Sequence, residues 1–411
     1  MALTKVNPLM LEASTGALPM PSGTTAQRPA SPTIGYMRFN TDFGALENYS
    51  STGWVKVSTP IPTINSITGT IYAGVASTLT FAGSQFGAIA GVVTFTSGAT
   101  VANVTVTPSS DSALSVAVPA AIYGLSGGAS VDIKFTNGDN SVSNTVPKIV
   151  QGIPTGGTLT TVGSYRYHTF NSSSSLVVPS GFTATADVLL VAGGGGGGST
   201  RAGGAGAGGL VDTTVALSSG TYTASLGGGG AGGVYLPSTA PVSGSNTSFT
   251  GATTAVGGGY GASRGGAVGA ASGGSGGGGG CDSAPGGSGT AGQGNAGGNG
   301  FGSSGNTSGG GGGAGAAGQA FVSASICGAG GVGINWKSLG TFYAGGGGGG
   351  CGTGTAGAGG NGGGGAGVVG GAGTTPNPGT TNRGGGGGGG ADDANGGSGG
   401  SGIVIVRYQL T

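Results

Sequence analysis

Short runs of alternating apolar and polar residues, cut by Gly, Pro, Asn and Asp, fill the first part of the chain. Gly35–Thr41 (GYMRFNT) alternates, Asp42-Phe43-Gly44 turns, ALENYS follows, and Trp54–Val57 closes the pattern after Ser51-Thr52-Gly53. This spacing predicts a β-meander. Its candidate core, Tyr36, Phe39, Leu46, Tyr49 and Trp54, is small, and so little apolar area generally calls for a partner surface or oligomerisation. Pro19, Pro21, Pro29 and Pro32 mark an extended arm ahead of it. Residues 61–150 then carry seven β-branched runs: TINSIT, STLTFAG, GVVTFTS, VANVTVT, LSVAVPA, SVDIKFT and SVSNTVPKIV. Turn residues every 8–12 positions between them predict a two-sheet β-sandwich.

The pattern changes after residue 150. YRYHTF, SLVVPSG and ADVLLVA (Ala186–Ala192) read as strands, the last apolar on both faces and therefore buried. Ser401–Leu410 (SGIVIVRYQL) is its natural partner, and Gly209–Gly230 adds a further strand pair. Between the two bracketing strands glycine dominates. The chain holds 108 glycines in 411 residues, including eight runs of three or more at 193–198, 227–230, 257–259, 276–280, 309–313, 345–350, 362–365 and 384–390. Glycine-rich chain is ordinarily flexible coil, and fixing each residue costs roughly 1–2 kcal/mol. A bundle of polyglycine II helices offsets that cost. Three residues per turn leave every N–H and C=O pointing sideways to pair with a neighbour, and side-chain-free rods approach closely enough for Cα–H···O contacts. The bracketing strands favour such rods over a loose linker. The expected fold class is all-β, with an N-terminal arm and meander at 1–60, a sandwich spacer at 61–150 and a glycine-rich domain of polyglycine II helices framed by strands at 151–411.

Charge and composition remove several function classes. Charged residues make up 6% and the formal net charge is +1, so no basic cluster is present to neutralise phosphates. Glycine disfavours helix, and the long runs break the Gly-X-Y period that collagen requires. No leader or membrane-spanning segment is expected. Cys281, Cys327 and Cys351 lack metal-ligand spacing; inert small hydrophobes are the favoured reading, with one oxidised pair left open.

Candidate chemistry is sparse. GxGxxG matches recur by composition alone, and none opens a helix after a strand. Lys337 follows Trp336 instead of the glycine that a phosphate-binding lysine needs. His168 sits in a strand between Tyr167 and Thr169 and reads as an ordinary sheet residue; Asp392 and Asp393 read as a solvated loop. Neither enzyme activity, cofactor nor metal is expected. The segments between runs carry the aromatics, and exposed rings there suit glycans or protein receptors. Trp336, Tyr343, Phe342, Lys337 and Tyr235 are the candidate receptor contacts, centred on Phe321–Tyr343.

Two resemblances sharpen the picture. LTFAGSQFG (Leu79–Gly87), LSVAVPA (Leu114–Ala120) and VDIKFTNGDNSVSN (Val131–Asn144) resemble the IPT/TIG type of immunoglobulin-like domain, which implies a spacer or binding module. Tyr165–Gly198, SSGTYTASLGGGGAGG and the closing GGSGGSGIVIVRY (Gly396–Tyr408) resemble the glycine-rich domain of bacteriophage tail-fibre proteins. GYMRFNTDFGALENYSSTGWVKV is similar to a β-motif near the N-termini of virion appendages. These resemblances imply a virion-located tail fibre or receptor-binding adhesin. Virion proteins would bind its N-terminal region, a host surface glycan or outer-membrane protein would be its receptor, and a homotrimer is expected. Nucleic acid and membrane insertion are not. The alternatives are a capsid-decorating head fibre or knob and, from another class, an extracellular ice-binding or matrix-type glycine-rich protein.

Overall fold

The computed structural model describes residues 20–42, 44–57, 61–264, 269–282, 284–301, 306–370 and 373–410. The arm ahead of Met20 lies outside them. Residues 1–153 and 154–411 form two compact units. Strands in several sheets are the main regular secondary structure of both, and the longest α-helix among the described residues is the single turn Ala120–Tyr123.

In the first unit Met37–Asn40, Ala45–Ser50 and Gly53–Lys56 form the expected meander, with Ser22–Gly23 added in parallel at its edge. Its interior corrects the sequence reading. Tyr36 and Phe39 are exposed, whereas Arg38, Asn40 and Glu47 are buried beside Ala45. Arg38 faces Glu47 across the strands, so alternation puts the polar set inside. An ion-pair network balances its charges, with Arg28 2.6 Å and Arg38 3.5 Å from Glu47, although the buried Arg38 Nη1 makes no hydrogen bond.

All seven runs of residues 61–150 form strands. Ala113–Ala117, Thr78–Ser84 and Thr63–Thr68 make one sheet; Ile71–Tyr72, Val146–Gln151, Ser130–Thr136, Gly91–Ser97 and Thr100–Val106 make the other. Leu79, Phe81 and Val116 from the first interleave with Val93, Phe95, Ile133 and Phe135 from the second in one apolar core. This is an immunoglobulin-like sandwich.

The second unit is framed as its two end motifs suggest. Thr158–Val162, Tyr165–Phe170, Ile403–Gln409, Ala184–Val191 and Leu210–Leu217 form an antiparallel sheet in that order. The C-terminal strand thus lies between the two strands that precede the glycine tract. Val188, Leu189, Leu190 and Val191 are all buried, on both faces of their strand.

The glycine runs are neither α-helix nor β-strand. In Gly193–Gly198 each N–H leaves sideways, and the partner repeats every third residue. Gly193 and Gly196 donate to Ser245 and Val242, Gly194 and Gly197 to Gly400 and Gly397, Gly195 and Gly198 to Gly206 and Gly203. Segment 202–209 does the same toward 384–390, 256–262 and 309–312. A threefold repeat of lateral bonds is what glycine helices of the polyglycine II kind would make.

The position of a segment in this array explains its composition. Runs 193–198 and 345–350 donate to or accept from neighbours on all sides, and their residues are buried. Peripheral segments expose every third position, and there side chains return: Thr355, Ala358 and Asn361 in one, Asn395 and Ser398 in another. Interior glycine is a steric requirement. A Cβ on Gly278 would overlap the carbonyl oxygen of Gly309, and one on Gly347 that of Gly387.

Candidate recognition surface

Segments that run alternately away from and back to the framing sheet give the array two unlike ends. At the near end, Ala192 donates to Gly209, Leu210 to Gln293, Ala344 to Arg383 and Gly402 to Gly227. These bonds join the rods where the strands begin.

At the far end the turns meet one another. Thr200 donates to Ala394, Arg201 to Ala391, Arg264 to Thr200 and Cys281 to Arg201. The Arg201 guanidinium is ion-paired with Asp392, one arm at 2.9 Å. The Tyr235 amide donates to Asn395 at 2.8 Å. A hydrogen bond from its hydroxyl to Asp393 raises the phenol pKa. Phe301 and Phe321 meet edge to face at 4.6 Å. Apolar side chains stand out at this end: Leu236 is 73% exposed, Val322 53% and Ile326 41%. Cys327 and Cys351, expected as inert thiols, are instead joined in a disulfide. Their sulfurs close a crossing between two neighbouring rods that the sequence spacing did not reveal. Cys281 remains a buried thiol, with its pKa pushed up to about 11 by burial.

The structure divides the five candidate contact residues. Tyr235 lies at the far end. Trp336, Lys337, Phe342 and Tyr343 lie at the near end, because Phe321–Tyr343 is not a single tip. It comprises a far turn, a rod over 327–333 that returns to the base, and a hairpin pairing Ile334–Asn335 with Phe342–Tyr343. Trp336 is 2% exposed and packs with Leu189, Val191, Leu210, Ile403 and Ile405. The expectation of an exposed indole platform is therefore corrected; the ring plugs the sheet face from which the rods emerge. Arg407 stacks 4.2 Å from the Tyr165 ring and 5.6 Å from Trp336, and it holds Asp187 at 2.6 and 3.0 Å. Lys337 reaches Asp187 and Asp212, each at 3.4 Å. Tyr343 is half-buried against the Trp336 cluster, and Phe342 beside it in the strand is half-buried too.

A family model described as a glycine-rich domain matches residues 168–409. The chain belongs to this glycine-rich domain family. No curated protein matches it. A crystal structure of chicken CNTN1 FN1–FN3 domains is similar at 11% identity over 44% of this chain. The chain spans 66% of that structure's length, and the TM-score of 0.18 carries no structural argument. In the glycine-rich domain proper, His168 is fully buried between the Gly156 carbonyl at 2.7 Å and the Tyr408 hydroxyl at 3.1 Å. Among the described residues no group of three His, Cys, Asp or Glu is placed to hold a metal ion, and no helix is long and apolar enough to cross a membrane.

Proposed function

We propose that this chain is a surface-recognition protein of a tailed phage, a tail fibre or tip adhesin. The N-terminal meander docks on virion proteins, an IPT/TIG-like sandwich spaces, and polyglycine II rods carry the recognition surface outward. The observation that supports the reading is the asymmetry of the rod array. One end is sealed by the framing sheet and Trp336, while the other gathers separate turns with exposed Leu236, Val322 and Ile326. Rod backbones are uniform and cannot discriminate between receptors, so specificity belongs to those turns. The receptor is a host surface glycan or outer-membrane protein, and the assembly is a homotrimer. The test is adhesion of the purified chain to host cells. Leu236→Asp with Val322→Asp is expected to abolish cell binding at an unchanged melting temperature. Retained binding overturns the assignment of the far end.

A second reading has its own support. Peripheral rods present Thr355, Ala358 and Asn361 at a three-residue interval, about 9 Å at the rise of a threefold glycine helix. That is a regular surface of the kind that suits an ordered, repeating ligand such as ice. Thermal hysteresis in a solution of the chain would favour it over receptor recognition.

A further inference from the structure

The disulfide stands where the rods stop being self-sufficient. Cys327 opens the returning segment 327–333, and Cys351 ends the outgoing segment 345–351. These two rods already hold each other, with Gly346 donating to Gly331 at 2.9 Å and Gly349 to Gly328 at 3.0 Å. The turns just beyond the cysteines have weaker support. Residues 322–326 are exposed and close on themselves through Val322 N–H to Ile326 and Ile326 N–H to Ser323. Two backbone bonds tie them to the next turn, Cys327 to Thr355 at 3.0 Å and Thr355 to Ser325 at 2.8 Å. Both flank the disulfide.

We propose that oxidation of Cys327 and Cys351 completes the far-end surface. The covalent link fixes turns 322–326 and 352–355 in one arrangement, whereas the reduced chain keeps its rods and loses the fixed turns. This inference rests on reading the far end as the recognition end. In the forming step the two thiols give up two protons and two electrons to a disulfide oxidant such as oxidised glutathione. The oxidant leaves as two reduced glutathione molecules, and one sulfur–sulfur bond replaces two S–H bonds. Cys281 does not compete, since it is a buried free thiol that burial keeps protonated.

Limited chymotrypsin digestion of the full chain, read by mass spectrometry, tests the proposal. Compared with the oxidised chain, Cys327→Ser/Cys351→Ser is expected to be cut after Phe321 at least about tenfold faster, because opening of the turn then limits cleavage. Cleavage after Tyr222, in the strand Gly220–Ser225 of a separate sheet in the same unit, should keep its rate. Reduction of the native chain with dithiothreitol, followed by alkylation, should reproduce the pattern and guards against misfolding of the double variant. Equal cleavage after Phe321 in both redox states overturns the proposal. So does acceleration at Tyr222 as well, which would make the disulfide a support of the whole domain. Digestion reads the turns whatever they bind, so its failure leaves the recognition reading standing. Failure of the far-end substitutions to weaken adhesion leaves the redox result standing.

Discussion

A single methyl group is a large object inside the rod array. At Gly347 it would meet the Gly387 carbonyl, whereas at Gly228 nothing lies within 4 Å of the same added atom. Gly347→Val is therefore expected to displace rods on two sides and leave buried amides unpaired at about 1–3 kcal/mol each. Gly228→Ala should melt within about a degree of the parent chain. Differential scanning calorimetry of both variants checks this, and equal melting temperatures would contradict close rod packing. His168 supplies a pH dependence at the same scale. Burial lowers its pKa from the ordinary 6.5, outweighing the Gly156 bond that favours the charged ring, and Arg166 lowers it further. The folded chain thus holds a neutral ring where the unfolded chain takes up a proton. Stability is full above pH 6.5 and is lost as pH falls below it. The melting temperature should drop between pH 7.5 and 5, and His168→Asn should flatten that drop.

At the scale of elements, the sequence disclosed some features through chemistry that acts locally and hid others that depend on path length. Runs such as 193–198 and 345–350 marked interior rods because no side chain fits there, whereas the run 227–230 lies partly exposed with open space at Gly228. The two bracketing strands were legible from Ala186–Ala192 and Ser401–Leu410, whose apolar residues on both faces demand burial. The meander's strands were legible too, but not which face is covered, because Arg38 and Glu47 neutralise each other inside. Trp336 was misplaced for a geometric reason. Seven residues, 327–333, carry the chain about 20 Å at a threefold-helix rise, so an aromatic that looked adjacent to the Phe321 turn sits at the opposite end. Its role is testable there. Trp336→Ala removes a buried ring from the cluster over Leu189 and Ile405, at an expected cost of about 3–5 kcal/mol. Thermal melting should show the loss, while adhesion measured well below the lowered transition stays unchanged. Lost adhesion without a stability change would return the residue to the recognition surface.

The whole molecule joins a β-rich unit at 1–153 to a glycine-rich unit at 154–411 that closes on its own sheet through the C-terminal strand. Because that strand lies between Tyr165–Phe170 and Ala184–Val191, the fragment 154–411 contains every partner of its framing sheet and should fold alone. A fixed far end requires the glycine-rich half to be a hydrogen-bonded solid and not a flexible tether. Amide hydrogen exchange of that fragment, followed by NMR at Gly204, Gly278, Gly347 and Gly387, tests this most directly. Protection of at least about a thousandfold over the unfolded rate is expected at all four, since global opening must precede exchange in a cooperative array. Exchange at the unfolded rate at those glycines, with the framing strands still protected, would contradict it.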